Sequence, residues 1–386
     1  MREKQPSLDV IRAVSTIAIV LFHYSFTFIE FSIGGSHISF LKFADGDWGG
    51  VFVSVFFMLS GAALYYNWSD RMKTFLGKNG VLDFYKKRWL AIFPMFYTAW
   101  LVMYIINSKK LGTWYWGGLR RNFILTFLGM DGYFMHHGQN YYCLGEWFLG
   151  GIILVYLFYP LLQFLFNRFR WPSTILLTVI FVFNLYRTLL SSAPDTNIFF
   201  IAVKYYNSHI IIPDSKCLWT CIMNFWVGML LIKYREQVVK AWTAIAGLVV
   251  FIVFLVIPLP VKEIIVSTID GAAVYIMLSY ITGICSKGMI RIKTHGAFKA
   301  FAHAVTVFIG FVSKYSYGIF LVHHVTLYGI MPNFKGGSIG LMPSIGLFIL
   351  SFAIISFISF VLTFSIKHII KALSALPSFA KRQHST

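Results

Sequence analysis

Charge is scarce in this sequence. Asp, Glu, Lys and Arg make up only 12% of its 386 residues, whereas 58% are hydrophobic. A soluble domain typically carries about twice that share of charge, so the composition indicates a membrane protein. Acidic residues are the scarcest, because 33 Lys and Arg face 14 Asp and Glu, a formal net charge of +19. Since the basic residues lie between long apolar runs, they indicate membrane topology and contacts with anionic lipids, not nucleic-acid binding.

Several signatures of other protein classes are also missing. The four cysteines include no CxxC pair, which excludes a disulfide framework and a zinc module. Cys217 and Cys221, four residues apart on one expected helix, are poorly oriented for a disulfide, so we expect them to pack. There is no GxxxxGK[ST] phosphate loop and no GxSxG elbow. The first thirty residues lack a small-residue cleavage site, and we therefore expect a retained span.

Long apolar runs are abundant. Crossing the hydrocarbon layer takes about 20 apolar residues, and about ten runs approach that length, none with the period-two alternation of a barrel. The sequence therefore predicts an all-α, polytopic membrane bundle of about ten transmembrane helices. The runs centre on residues 8–30, 48–68, 89–106, 146–167, 174–190, 217–232, 241–257, 263–285, 311–330 and 341–365.

The basic residues concentrate in alternate connections between these runs. With the N-terminus in the cytoplasm, the Lys- and Arg-rich connections 69–88, 233–240 and 286–303 fall on the same side as the C-terminal tail. The positive-inside rule then predicts that both termini are cytoplasmic. We expect one membrane domain over residues 1–370, a short basic cytoplasmic tail over 371–386, no soluble domain, and a location in the plasma membrane.

The longest predicted outer segment, residues 107–145, is too short to span and rich in aromatic and polar groups. These features predict a re-entrant or interfacial lid. His136 and His137 lie in it without a third ligand at suitable spacing, so we predict no metal site. Its aromatic residues suit an interfacial belt better than stacking against sugar rings. They are Trp114, Trp116, Tyr133, Tyr141 and Tyr142.

The first apolar run carries three ionisable side chains, Asp9, Arg12 and His23. Eleven residues at 100° each bring Arg12 and His23 onto one helix face, about 16 Å apart along the axis. If Arg12 lies at the cytoplasmic interface, His23 lies near the middle of a core about 30 Å thick. Ionisable groups at that depth are functional candidates. The structural alternatives are that Asp9 and Arg12 mark the helix start and that His23 is a hydrogen-bonded packing residue.

Five short motifs follow one another along the chain. They are LDVIR with LFHYS, whose His follows the Arg by eleven residues, FVSVFFMLSGAAL, FYKKRWLAIFP, EWFLGGIILVYLFYPLL and SKYSYGIFLVHH. Together they resemble the acyltransferase 3 family of integral membrane acyltransferases, from about residue 7 to about residue 370. Two positions depart from the family pattern. Ala91 stands where a second Arg often follows Arg88, and Ile152 stands about where many members have a Glu after Trp147.

The resemblance implies transfer of an acyl group, usually acetyl, from cytoplasmic acyl coenzyme A to a sugar hydroxyl on the opposite face. His23 would act as a general base or as a transient acyl carrier, and Arg12 would guide the donor toward it. Arg88, Lys86 and Lys87 would hold the donor's phosphates, or would only enforce topology. Further residues expected to line the cavity are Asp9, Ser60, Glu146, Trp147, Ser316, Tyr317 and His323.

Three polar positions within predicted spans could serve the structure and not the chemistry. His323 is seven residues from Ser316 and shares its face, but it does not share a face with Tyr317, and an interhelical hydrogen bond would also suit it. Asp270 and Arg187 are further charges within predicted spans, and a mutual salt bridge would satisfy both.

We therefore expect a membrane O-acetyltransferase that acts on a cell-surface or lipid-linked glycan. Its partners would be acyl coenzyme A as cosubstrate, the glycan acceptor and membrane lipids, with no tightly bound cofactor and no nucleic acid. One alternative is acylation of a small hydrophobic acceptor. Another is a secondary transporter, for which ten spans with buried Arg and His would also be expected, although the chain shows no inverted repeat.

Overall fold

Helices make up most of the chain. The computed structural model describes residues 5–44, 46–134, 139–144, 147–190, 202–205, 208–211, 216–258, 263–291 and 296–375. Within them the helices are α1 (Pro6–Glu30), α2 (Trp48–Trp68), α3 (Val81–Leu111), α4 (Phe123–Phe127), α5 (Trp147–Arg168), α6 (Arg170–Leu190), α7 (Leu218–Lys233), α8 (Arg235–Val238), α9 (Ala241–Val256), α10 (Glu263–Arg291), α11 (Gly296–Ile330) and α12 (Leu341–Ala375).

Short pieces of other structure connect the helices. Strands β1 (Lys42–Phe43) and β2 (Gly46–Asp47) form one antiparallel pair, and β3 (Ala202–Tyr205) and β4 (Ser208–Ile211) form another. Asp47 caps α2, because its carboxylate accepts a hydrogen bond from the Gly50 amide at 2.6 Å. Two 3₁₀ turns, Arg120–Asn122 and Met331–Phe334, precede α4 and follow α11.

The fold is an all-α membrane bundle, as the sequence predicted. Each of the ten predicted apolar runs coincides with a helix, and in the described part of the chain seven helices are long and apolar enough to cross a membrane: α1, α2, α3, α5, α10, α11 and α12. The helices α7 and α9 are apolar but have 16 residues each. The count of ten crossings and the cytoplasmic side of the termini stay predictions.

The outermost helices leave large apolar side chains uncovered. On α3 and α12 these include Leu101, Val102, Leu350 and Phe357, all more than half exposed. A soluble protein rarely exposes contiguous apolar surface of this extent. These faces are suited to lipid, whereas α1, α2 and α7 are largely enclosed by other helices.

Close backbone contact joins α2 to α7 at the centre of the bundle. A Cβ on Gly61 would lie 2.0 Å from the Phe225 carbonyl oxygen, and a Cβ on Gly228 would lie 1.8 Å from that of Met58. Glycine on both helices lets the backbones touch, as is common between membrane helices. The glycine of the SG pair in the second motif therefore serves helix packing.

The helices α1 and α11 run parallel and in matched register. Arg12 contacts Ser313, and His23 contacts His324, and each pair is separated by 301 residues in sequence. Both contacts repeat after eleven residues on each helix, so they lie about 16 Å apart along the pair. This register determines which α11 side chains meet the polar stripe of α1.

Two sequence expectations need correction outside the bundle. Tyr141 is fully buried and stacks on Phe123 at 3.7 Å between ring centroids, and Tyr133 is also buried. Both are interior residues of the outer segment, not belt residues, because Tyr141 stacks on α4 and Tyr133 packs against α5. Trp114, in contrast, is exposed. The helix α12 continues to Ala375, so it includes the first five residues of the predicted tail 371–386, and the tail itself stays a prediction.

Candidate active site

Three imidazole rings meet where α1 packs against α11. One ring nitrogen from each of His23, His323 and His324 lies within 4.8 Å of the others. His23 Nδ1 is 2.8 Å from His324 Nε2, a hydrogen-bond distance between two helices. The matched register of the two helices produces this pairing. His23 follows Arg12 by eleven residues and His324 follows Ser313 by eleven, so the contact between Arg12 and Ser313 also aligns the two histidines.

His323 is oriented by its own helix. Its Nδ1 lies 2.6 Å from the Phe320 carbonyl oxygen, and its ring centroid lies 5.0 Å from that of His23. Because a carbonyl oxygen can only accept, Nδ1 of His323 carries the hydrogen. His323 is fully buried and packs behind His23, whereas the sequence analysis expected it to line a cavity.

His23 borders a cavity of about 220 Å³ that is lined by both apolar and polar side chains, and we call it the His23 cavity. Side chains from α1, α2, α5, α7, α10 and α11 meet around it, and Trp147 is among them. The polar residues of its lining are His23, Asp47, Ser54, Lys216, Thr220, Asn224 and Ser267.

Two buried side chains in the His23 cavity have unused hydrogen-bonding atoms. Asn224, 2% exposed, donates from Nδ2 to Ser54 Oγ at 3.3 Å, but its Oδ1 has no hydrogen-bond partner among the described residues. The Ser267 hydroxyl, on a side chain that is 3% exposed, also lacks one in that part of the chain. An unsatisfied buried polar group costs about 1–3 kcal/mol. Both side chains line the cavity and keep hydrogen-bonding capacity that the described residues do not use.

A second cavity of about 210 Å³ lies around Arg12, and we call it the Arg12 cavity. Its lining combines apolar side chains with polar residues that are far apart in sequence. Five of the polar residues were named in the sequence analysis, namely Arg12, Ser60, Arg88, Ser316 and Tyr317, and Tyr156 joins them.

Arg12 is held by a three-residue polar network. Its Nη1 donates to Ser313 Oγ at 3.2 Å and to Asp9 Oδ1 at 3.4 Å, and Ser313 Oγ donates to the same Asp9 oxygen at 2.8 Å. Asp9 therefore orients Arg12 and does not itself line the cavity. Across the cavity, Arg88 Nε is buried without a hydrogen-bond partner in the described ranges. The hydroxyl of Tyr317 is held in place because it donates a hydrogen bond to the Ile92 carbonyl oxygen at 3.0 Å.

An aromatic layer separates the two cavities. Phe56, Phe148 and Phe320 line both of them. The rings of Phe148 and Phe320 meet edge to face with centroids 5.5 Å apart, and those of Phe56 and Phe148 lie 5.8 Å apart. The guanidinium groups and the His23 imidazole thus face different cavities that share one wall.

The remaining predicted residues lie elsewhere. Lys86 is exposed, and Lys87 bonds Asp83 at 2.8 Å, so neither lysine lines either of these cavities. The four cysteines form no disulfide. Asp270 is fully buried on α10, and its carboxylate has no hydrogen-bond partner within the described residues. Glu146, His136, His137 and the side chain of Arg187 lie outside the described residues, so the Asp270–Arg187 pairing stays a prediction.

Sequence reasoning missed His324, although a signal was present. His324 follows Tyr317 by seven residues and therefore shares its helix face, just as Ser316 and His323 share theirs. It also follows Ser313 by the eleven-residue spacing that separates His23 from Arg12. Asn224 and Ser267 carry no such signal, since isolated polar residues in apolar helices usually bond other helices.

The site brings an imidazole close to two guanidinium groups. A neutral imidazole beside a cavity can remove a proton from a hydroxyl group. Two guanidinium groups in the neighbouring cavity can bind phosphate or carbonyl oxygens. A family model described as an acyltransferase domain matches residues 5–368, which include both cavities. Neither curated proteins nor solved structures gave a match.

Proposed function

Because the chain belongs to this acyltransferase family, we propose that it transfers an acyl group, most simply acetyl, from acyl coenzyme A to a hydroxyl of a cell-surface or lipid-linked glycan. The observation that carries the proposal is the pair of cavities on either side of one aromatic layer, with cationic groups in one and an imidazole in the other. An acceptor of this kind also accounts for a location in the plasma membrane.

The Arg12 cavity suits the donor. Arg12 and Arg88 both line it, and their planar groups can bind phosphate or carbonyl oxygens in a bidentate manner. Cavities for drug-sized ligands have volumes of roughly 300–1,000 Å³, so this one holds only the thioester end of coenzyme A. The nucleotide would stay at the mouth, where Lys86 and Lys87 contribute positive charge at the protein surface.

The His23 cavity suits a hydroxylated acceptor. Asn224 Oδ1 and the Ser267 hydroxyl are buried in its wall with hydrogen-bonding capacity unused by the described residues. A sugar presents several hydroxyl groups that can satisfy such atoms, whereas a small hydrophobic acceptor would leave them desolvated at a cost of about 1–3 kcal/mol each. The polar lining therefore favours a glycan.

The reaction needs one proton acceptor between these groups. His23 takes the proton of the acceptor hydroxyl as its oxygen attacks the thioester carbonyl carbon. The carbon–sulfur bond then breaks, and His23 returns the proton to the departing thiolate. A second route through the same residue is an acyl-histidine intermediate, which the acceptor hydroxyl would then cleave. Arg12 serves either route by positioning the donor.

The test uses membranes from cells that express the chain, incubated with acetyl-labelled acetyl coenzyme A. We expect label to appear in glycan and free coenzyme A to be released, and His23→Ala should remove both while expression stays normal. His303→Ala, at an exposed position on α11, is the matched control. A transporter would release no coenzyme A.

A second experiment identifies the acceptor. It compares the masses of glycans from cells with and without the chain, and the acceptor shows a shift of one acetyl group.

A further inference from the structure

We propose that His324 is a positioning residue that fixes the tautomer of His23. This inference rests on the proposed function, because it assigns a partner to the base. The contact that carries it is the 2.8 Å separation between His23 Nδ1 and His324 Nε2. One of the two nitrogens must donate and the other accept.

Only one direction of this hydrogen bond leaves His23 able to act as a base. If His23 Nδ1 carries the hydrogen and donates to His324, the lone pair of His23 lies on Nε2, and His23 borders the His23 cavity. In the opposite direction His23 Nε2 carries the hydrogen and cannot remove a proton. His324 would therefore do for His23 what the third residue of a catalytic triad does for its histidine.

The hydrogen bond also acts during the reaction. When His23 Nε2 accepts the proton of the acceptor, the ring becomes a cation whose Nδ1–H still points at His324 Nε2. A hydrogen bond from a charged donor is about twice as strong as a neutral one, so the neutral imidazole stabilises the charge as it forms. When the proton passes to the thiolate, both rings return to their starting tautomers.

Three imidazoles in one place also resemble a metal site, but the distance argues against it. Zinc binds histidine nitrogen at about 2.0–2.1 Å in tetrahedral geometry, which separates two ligand atoms by about 3.3 Å. The His23–His324 distance of 2.8 Å is shorter and matches a hydrogen bond. His323, moreover, already uses Nδ1 on its own helix.

The surroundings hold His324 in place. One pair of contacts, Arg12 with Ser313, anchors α11 on α1 three turns away. On the other side Tyr328 packs its ring 5.2 Å from that of His324 and donates its hydroxyl to Glu30 at 2.7 Å. A partner anchored on both sides is preorganised and loses little entropy when it orients the base.

Two variants separate a hydrogen-bonding role from packing. His324→Gln keeps a polar atom near the place of Nε2, and His324→Leu fills the space without one. In the acetyl coenzyme A assay we expect His324→Leu to lower kcat roughly tenfold to a hundredfold, a part of what a general base contributes, with KM for acetyl coenzyme A unchanged. His324→Gln should retain most of the activity. Equal activity in the Leu variant and the native chain would overturn the proposal, and so would a Gln variant as inactive as the Leu variant.

A spectroscopic measurement tests the bond itself. In the full chain labelled with ¹⁵N-histidine in lipid nanodiscs, the signals lost in His23→Ala identify His23. We expect them to report the Nδ1–H tautomer in the native chain and a shift toward Nε2–H in His324→Leu. An Nε2–H tautomer in the native chain would overturn the proposal, as would stoichiometric zinc whose chelation changes these signals. This readout also decides the question if His324→Leu folds poorly, because the native spectrum needs no variant at His324.

The outcomes distinguish the two levels of inference. If the native chain neither labels glycan nor releases coenzyme A, the proposed function is wrong whatever the tautomer. If His23→Ala keeps the native activity, acyl transfer stands but His23 is not its base. If His23→Ala is inactive and His324→Leu is fully active, the base assignment stands and the role of His324 falls.

Discussion

Arg12 donates a hydrogen bond from Nη1 to the hydroxyl of Ser313, 3.2 Å away on a helix that follows 301 residues later. Ser313 in turn donates to Asp9 at 2.8 Å, so its hydroxyl joins the carboxylate of Asp9 to the guanidinium group of Arg12. This small network lies partly exposed beside the Arg12 cavity, where water competes with each of its bonds. Its main effect is therefore on the direction of the guanidinium group, not on stability.

Ser313→Ala should weaken use of the donor. Without the hydroxyl, Arg12 keeps only the long contact to Asp9 and samples more rotamers. We expect KM for acetyl coenzyme A to rise about threefold to tenfold, equivalent to one ordinary hydrogen bond, with kcat nearly unchanged. Ser313→Thr retains the hydroxyl and is the control. A fall in kcat at constant KM would show that the network acts on the chemical step instead.

Arg88 should matter more than the lysines beside it. We expect Arg88→Ala to raise KM for acetyl coenzyme A about tenfold or more, because it removes a bidentate phosphate or carbonyl contact, and Arg88→Lys to restore only part of it. Lys86→Ala removes the same charge from the same helix at an exposed position outside the cavity. If Lys86→Ala has the same effect as Arg88→Ala, the donor responds to surface potential and not to a specific contact.

Gly61→Ala should destabilise the bundle. The new methyl group would lie 2.0 Å from the Phe225 carbonyl oxygen, and both helices would have to separate. Overpacking of this kind costs about 1–3 kcal/mol, so we expect a lower midpoint of thermal unfolding in detergent. Gly310→Ala on α11 is the control, since its Cβ would meet nothing within 4 Å. Equal midpoints for Gly61→Ala and the native chain would remove the packing explanation of the SG motif.

The sequence allowed the local features of this site to be predicted, because helix periodicity is local. Arg12 and His23 could be placed on one face of α1, and Arg88, Ser60, Ser316 and Tyr317 surround one cavity with Arg12 in the structure. All of these residues lie in the short motifs that the sequence shares with the family. Periodicity within one helix does not, however, define how that helix is positioned against another.

The spacing of His324 from Ser313 matches that of His23 from Arg12, but the pairing of His23 with His324 could not be predicted from it for that reason. The register between α1 and α11 depends on how side chains 301 residues apart interdigitate, which no pattern in one helix records. The sequence analysis therefore favoured His323, the histidine of the matching motif, over its neighbour. Asn224 and Ser267 were missed for a related reason, since their unused polar atoms become visible only when their neighbours are known.

We expect Asp131 to make the outer segment sensitive to pH. It is 2% exposed in the turn after α4, and burial, offset only in part by the Thr126 hydroxyl, raises its pKa to about 7. The unfolded carboxyl has a pKa of 3.8, so the folded state keeps a proton that the unfolded state loses. The stabilising contribution is therefore complete below about pH 4 and is lost as the pH rises through about 7.

Limited proteolysis should reveal this dependence. We expect cleavage within residues 107–145 to be slower at pH 5.5 than at pH 8 after correction for protease activity, and Asp131→Asn to abolish the difference by holding the site neutral. Asp70→Asn, which alters an exposed acid between α2 and α3, is the control. A native pH difference that survives in Asp131→Asn would assign the effect to another group.

Phe148→Ala should change which acyl groups are transferred. Phe148 touches both Phe56 and Phe320 and lines both cavities, so its ring occupies the wall through which the thioester must reach His23. Removing the ring opens space beside the acyl group while leaving the base and the guanidinium groups in place.

With purified chain in nanodiscs we expect the rate with butyryl coenzyme A, relative to acetyl coenzyme A, to rise about tenfold, since two extra methylenes gain roughly 1.6 kcal/mol from burial. Phe164→Ala is the matched control, because it removes an equally large ring from an exposed face of the same helix. The measurement compares kcat/KM for the two donors in each variant. An unchanged ratio in Phe148→Ala would mean that the acyl group does not pass this wall, and the route from the Arg12 cavity to His23 would have to run around the aromatic layer.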